Sequence, residues 1–193
     1  MAWFWLDRPM LLNKSTQINM KNLHYYFLIA GTCLLTAFTT LDKNAVSFQD
    51  EDKTFVKAAA EGGLLEVKLG ELAMKNGSSK AVKDYGKMMV NDHTKVNKEL
   101  MNLAKKKNME VPTTLGPEKQ QKYDSLASVK DNTFDMVYMN MMILSHEQTI
   151  GIFQNESSAG TDADLKKWAE SKVPALKHHL EMAESLFQTA NKK

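Results

Sequence analysis

From about residue 50 onward, apolar side chains return at alternating spacings of four and three, the repeat of one face of an α-helix. In the first segment, about 50–75, Phe55, Ala59, Gly62, Glu66, Leu69 and Ala73 share that face. Asn76 and Gly77 predict its end through left-handed backbone, and Ser78 or Ser79 predicts the cap of the next helix. The second segment runs to about 106, with Val82, Tyr85, Met89, His93, Val96, Leu100 and Leu103 in its stripe. Lysines fill its last turn, where the helix dipole is negative. Between 108 and 130 the pattern weakens around Pro112 and Pro117, with a short helix predicted at 118–127. That stretch is too long for a tight turn and predicts a crossover along a bundle. A third long helix, 132–155, is apolar on more than one face. A loop at 157–160 follows, and Asp162 predicts the cap of a fourth helix carrying Leu165, Trp168, Leu176, His179 and Leu186, with Pro174 inside it. The predicted fold is all-α: four helices over 50–190, two antiparallel pairs joined by a long crossover between helices two and three. This is the topology of ferritin-like bundles.

The chain before this region has a different character. Lys21 precedes a largely apolar run at 25–38, followed by Thr39, Thr40 and polar residues from Asp42. This is the pattern of a signal peptide, with Met20 as its initiator. At roughly 14 residues the run is short of the about 20 that a membrane-spanning helix needs. Residues 20–45 are thus expected to be a signal peptide or a short anchor, 1–19 an upstream extension, and the protein to be exported to a bacterial periplasm or envelope. The mature domain is expected to carry no membrane-spanning segment. Cys33, the single cysteine, lies inside the leader, so a cleaved chain has no thiol for a disulfide, a nucleophile or a metal. The formal charge is +2, and the lysine clusters at 105–107 and 192–193 have no aromatic interleaving. A nucleic-acid partner is therefore not expected. Neither a phosphate-binding glycine loop nor a serine in a sharp strand–helix turn is present, so no catalytic residue is assigned. No internal repeat is evident.

Each long helix places one titratable side chain on its apolar stripe. Glu66 and His93 occupy the first two. His146 shares a side with Met139, Met142, Ile150 and Phe153, and His179 aligns with Leu176 and Met182. His178 falls instead with Asp164, Ser171, Glu181 and Ser185, on a polar face. At about 1.5 Å rise per residue, Glu66 and His93 lie roughly 15 and 22 Å from the first turn, and His146 and His179 roughly 16 and 25 Å from the second. All four reach the middle of the bundle. An ionised glutamate there is costly without a cation or strong donors. Glu66, His93, His146 and His179 are therefore the candidate ligands of one divalent transition metal: zinc, iron, manganese or copper. The competing reading is a Glu–His hydrogen-bond network that only holds the helices together. Met88, Met89, Met136, Met139, Met141 and Met142 suit copper as soft ligands, but at helical spacing they read first as core filling.

Several motifs in order resemble one family. FVKAAAEGGLLEVKLGELA at 55–73, MMVNDH at 88–93, FDMVY at 134–138, the His146 position and VPALKHHL at 173–180 are similar to an exported bacterial family, domain of unknown function 4142. Its members are often labelled outer-membrane proteins. The resemblance covers about 52–186 and implies a ferritin-like bundle in the periplasm or envelope. Its motif positions fall on Glu66, Asp92, His93, His146 and His179. It implies no activity, and no ten-residue alternating strands support a barrel. The Glu-x-x-His pair of di-iron bundles is missing, since Val90, Ile143 and Leu176 stand three residues before the histidines. A single ion in metal handling or oxidative-stress defence is the function expected, with a non-enzymatic envelope or stress module as the alternative.

Overall fold

Four long helices and one short one make up the computed structural model over its described residues, 43–130 and 133–191, with side chains described from residue 51. Helices α1 (Lys43–Asn76) and α2 (Lys80–Lys106) form one hairpin, and α4 (Phe134–Ala159) and α5 (Ala163–Ala190) form another. Between the hairpins lies α3 (Pro117–Ser128), the short helix of the crossover. No strand occurs among the described residues, and none of the described helices is long and apolar enough to cross a membrane. The extension read at 1–19 and nearly all of the leader read at 20–45 lie outside the described residues.

Local chemistry accounts for most of the boundaries. Ser79 accepts a hydrogen bond from the Val82 amide, and Asp162 accepts from the amides of Asp164 and Leu165. Each satisfies amides that the first turn of a helix leaves free. Pro117 opens α3, at a position where no amide proton is required. Three details differ from the sequence pattern. The first helix starts earlier, at Lys43. Gly77 does not adopt positive φ; a Cβ there would lie 2.6 Å from the Ala73 carbonyl oxygen, so close approach explains the glycine. The loop expected at 157–160 is helical to Ala159, because the hydroxyls of Ser157 and Ser158 donate back to carbonyls at 154 and 155 and extend the helix.

Two buried aspartates set the directions of the hairpins. At the start of α4, Asp135 accepts from the amides of Ser78 and Ser79 at 2.7 and 2.8 Å. More than two turns into α1, Asp52 accepts from the amide and hydroxyl of Thr161 at 2.9 and 2.6 Å and from the Asp162 amide at 3.0 Å. The beginning of α4 thus lies beside the first turn, and α1 passes the second turn at Asp52. The end of α2 and the start of α4 are then at opposite ends of the bundle, so the connection carrying α3 must travel its length. Along the way Leu126 buries completely in one core cluster, with Tyr123 packed against it as are Val137 and Met141 from α4. This covers part of the second apolar face of α4, while Leu144 stays 58 % exposed.

The apolar core has two parts. One cluster includes Leu69, Val82, Tyr85, Met89, Tyr138, Met142 and Ala183. The other includes Phe55, Ala60, Leu100, Phe153, Leu165 and Leu176. On α2 the change from one to the other falls between Met89 and Leu100, on α4 between Met142 and Phe153, and on α5 between Leu176 and Ala183. His93, His146 and His179 stand in those three gaps. On the α1–α2 face, Gly70 and Gly86 bring the two backbones together: a Cβ on either would lie within 2.8 Å of the other's carbonyl oxygen. A larger residue at either position would push apart the helices that carry Glu66 and His93.

Candidate metal centre

His93 from α2, His146 from α4 and His179 from α5 are buried, with 6 %, 1 % and 4 % of their surface exposed. One potential ligand atom from each lies within 4.8 Å of the other two. Their ring centroids are 5.8, 5.5 and 5.4 Å apart, and the His146 ring meets both others edge-on. Each ring presents one buried nitrogen without a protein hydrogen-bond partner: His93 Nε2, His146 Nε2 and His179 Nδ1.

For His146 and His179 the opposite nitrogen has an acceptor. His146 Nδ1 is 2.9 Å from the Met142 carbonyl oxygen, which can only accept, so Nδ1 carries the proton and Nε2 the lone pair. His179 Nε2 is 3.2 Å from an Asp92 carboxylate oxygen, which fixes the reverse tautomer and leaves the lone pair on Nδ1. The Tyr85 hydroxyl donates to the His179 carbonyl oxygen at 3.1 Å, anchoring that turn of α5. Burial, reinforced by the like charges of His146 and His179, holds the His93 pKa well below its ordinary value. Burial and His146 also lower His179, with Asp92 opposing them. His93 and His179 are therefore neutral at pH 7, the form in which an imidazole is a ligand.

Glu66, from α1, lies outside the tight triad but on the wall of the same cavity. One of its oxygens accepts from the Ser145 hydroxyl, and Oε2 is buried without a protein partner. Its charge, after burial itself, raises the pKa of Tyr138, whose hydroxyl is also unpartnered. His178 is exposed, as its polar face predicts. Asp92 and Ser145 are the supporting residues that periodicity missed. Each directly precedes a histidine and lies off the apolar stripe, and only the resemblance pointed to Asp92. The methionines Met89, Met139 and Met142 sit in the core cluster beside Tyr85 and Tyr138, as filling.

A cavity of about 330 Å³ adjoins the triad. His93, His146, His179 and Glu66 form part of its wall, and Asp92, Lys95, Glu99 and Lys172 also line it. Three imidazoles with a nearby carboxylate make a ligand set suited to a borderline divalent cation. An ion held by three protein nitrogens would keep a further position for water or another donor.

A family model described as Domain of unknown function (DUF4142) matches residues 38–186 of the chain. No curated protein and no solved structure matches it.

Proposed function

Because the chain belongs to the family described as Domain of unknown function (DUF4142), a description without an activity, we propose a function from the site alone. The bundle binds one divalent transition-metal ion through His93, His146 and His179, with Glu66 supplying a carboxylate. One observation carries this reading: His93, His146 and His179 each offer a ligand atom within 4.8 Å of the other two, and each has one buried ring nitrogen without a protein partner. Buried lone pairs gathered in this way call for a partner that the protein does not supply, and one cation can meet all three. An ion at the centre of a triangle of that side would be about 2.8 Å from each nitrogen, against about 2.0–2.1 Å for zinc and imidazole. Sub-ångström movement of the rings closes the difference. Asp92 behind His179 and the Met142 carbonyl behind His146 match the outer acceptors that orient metal-bound histidines.

A network serving only to hold the helices would be expected to pair its own members. Here Ser145 pairs with Glu66 and Asp92 with His179, yet one nitrogen of each histidine has no protein partner. Zinc, copper, iron and manganese are all compatible with the donors, and imidazole favours the first three. The leader read at 20–45 extends the proposal to an exported protein of a bacterial periplasm or envelope, serving metal handling or defence against oxidants. The test is elemental analysis of the protein purified without chelator or affinity histidines, beside a His93→Ala/His146→Ala variant. Near-stoichiometric metal in the first and none in the second is the expected result. Equal metal content in both would sink the proposal.

A further inference from the structure

The cavity beside the triad has the composition of a binding chamber. Its apolar wall comes from Ala58, Ala59 and Gly62 on α1, Val96 on α2, Phe153 on α4 and Leu176 on α5. At about 330 Å³ it has room for roughly ten waters, at about 30 Å³ each. An ion held only for structure requires no such space.

Gly62 is the most telling of these residues. It sits inside α1, with neither positive φ nor a close neighbour: a Cβ built there meets nothing within 4 Å. Gly70 and Gly86 have a packing reason in the backbone contact between α1 and α2, and Gly62 has none. A helix-interior glycine costs about 0.5–1 kcal/mol relative to alanine. What this one provides is open volume in the wall of the cavity that the histidines also line.

Charge narrows the occupant. An imidazole that ligates a metal is neutral, so a divalent ion held by the three histidines beside the Glu66 carboxylate on the cavity wall would keep a positive excess. The charged groups towards the outside are matched: Lys172 Nζ bonds Glu99, and Lys95 Nζ is 4.0 Å from Asp92. A neutral rim around a positive, apolar-walled chamber favours a single negative charge on an apolar body.

We infer that this chamber binds a small organic monocarboxylate, about the size of benzoate, with its carboxylate on the ion and its apolar body against Ala58, Val96, Phe153 and Leu176. This rests on the metal reading of the same site. The experiment uses the protein loaded with cobalt(II), whose visible absorption reports its ligands, titrated with benzoate and with acetate. Benzoate is expected to bind at least about tenfold more tightly, because only it has an apolar body to bury. Gly62→Leu adds bulk to the chamber wall at a position that is not itself a ligand. It should keep the cobalt spectrum and lose the preference for benzoate, and Gly62→Ala should lose part of it. Equal affinity for benzoate and acetate in the wild-type protein, or a preference that survives in Gly62→Leu, overturns the inference and leaves the metal site standing. Failure to take up cobalt at all overturns the metal reading, and this inference with it.

Discussion

Replacing Asp92 by alanine removes the carboxylate that receives the Nε2 proton of His179 at 3.2 Å, while keeping all three imidazoles. A carboxylate behind a metal-bound histidine holds its tautomer and strengthens it as a donor, and its loss ordinarily costs roughly ten- to a hundredfold in affinity. Two features put Asp92 at the lower end of that range. The bond is longer than the about 2.7–2.9 Å of a tight charge-assisted pair. The side chain is also 41 % exposed, with Lys95 only 4.0 Å away. The expected loss is therefore about tenfold, or about 1.4 kcal/mol. Competition for zinc against a chromophoric chelator at pH 7 measures it directly. The metal-free protein supplies a second reading. Asp92 works against the lowering of the His179 pKa, so His179 should titrate still lower in the variant, followed by NMR. Wild-type zinc affinity in Asp92→Ala would refute the role assigned to this carboxylate. An unmoved His179 titration would refute the tautomer argument beneath it.

Three further outcomes are expected. Zinc at a hundred times its dissociation constant should stabilise the wild-type protein by about 2.7 kcal/mol, seen as a calorimetric shift that chelator reverses and His146→Ala abolishes; a shift surviving in that variant would place the ion elsewhere. Asp135→Ala should cost about 2–4 kcal/mol in urea unfolding, since two backbone amides lose a buried charged acceptor; a loss below about 0.5 kcal/mol would contradict the stapling role. Burial, then the charge of Asp52 and a hydrogen bond to it, pushes the Glu156 carboxyl up from 4.5 to about 7. The folded state thus holds this proton more tightly than the unfolded chain, and the stability it contributes is full below about 4.5 and lost as pH rises through about 7. The full difference is about 3 kcal/mol, and roughly half remains after screening by water in the groove that Glu156 lines. Glu156→Gln should therefore match the wild type at pH 5 and exceed it by about 1.5 kcal/mol at pH 8; a difference that does not change with pH would argue against the shift.

The level of the site along the bundle was legible in the sequence, because axial position in a helix is a matter of rise per residue. His93, His146 and His179 interrupt stripes that are otherwise apolar, and they fall in the gaps between the two core clusters. Radial position was less accessible. Glu66 shares the cavity but stands outside the triad, which depends on helix rotation that periodicity resolves only to a face. Asp92 and Ser145 act through neighbours distant in sequence, His179 and Glu66, and no local pattern announces such pairs. The end of α4 was missed for a related reason: Ser157 and Ser158 read as loop residues, yet their hydroxyls return to the helix's own carbonyls.

The aspartate staples carry a further meaning. One step along the chain takes Asp52 to Asp135, Ser78 to Thr161 and Ser79 to Asp162, so an aspartate on the first helix of each hairpin caps the other's turn in the same way. In this respect the two hairpins are related by an approximate half-turn, a duplication of backbone pairing that the side-chain pattern conceals. The donor atoms do not obey it. The same step pairs Gly63 with His146, Glu66 with Thr149, His93 with Leu176 and Val96 with His179. All four of the non-histidine, non-carboxylate counterparts (Gly63, Thr149, Leu176 and Val96) lie on the cavity wall. A symmetric bundle would repeat its donors on both sides of the half-turn; this chain gathers them on one side and leaves small or apolar residues on the other, so the chamber occupies the place of the centre's missing twin.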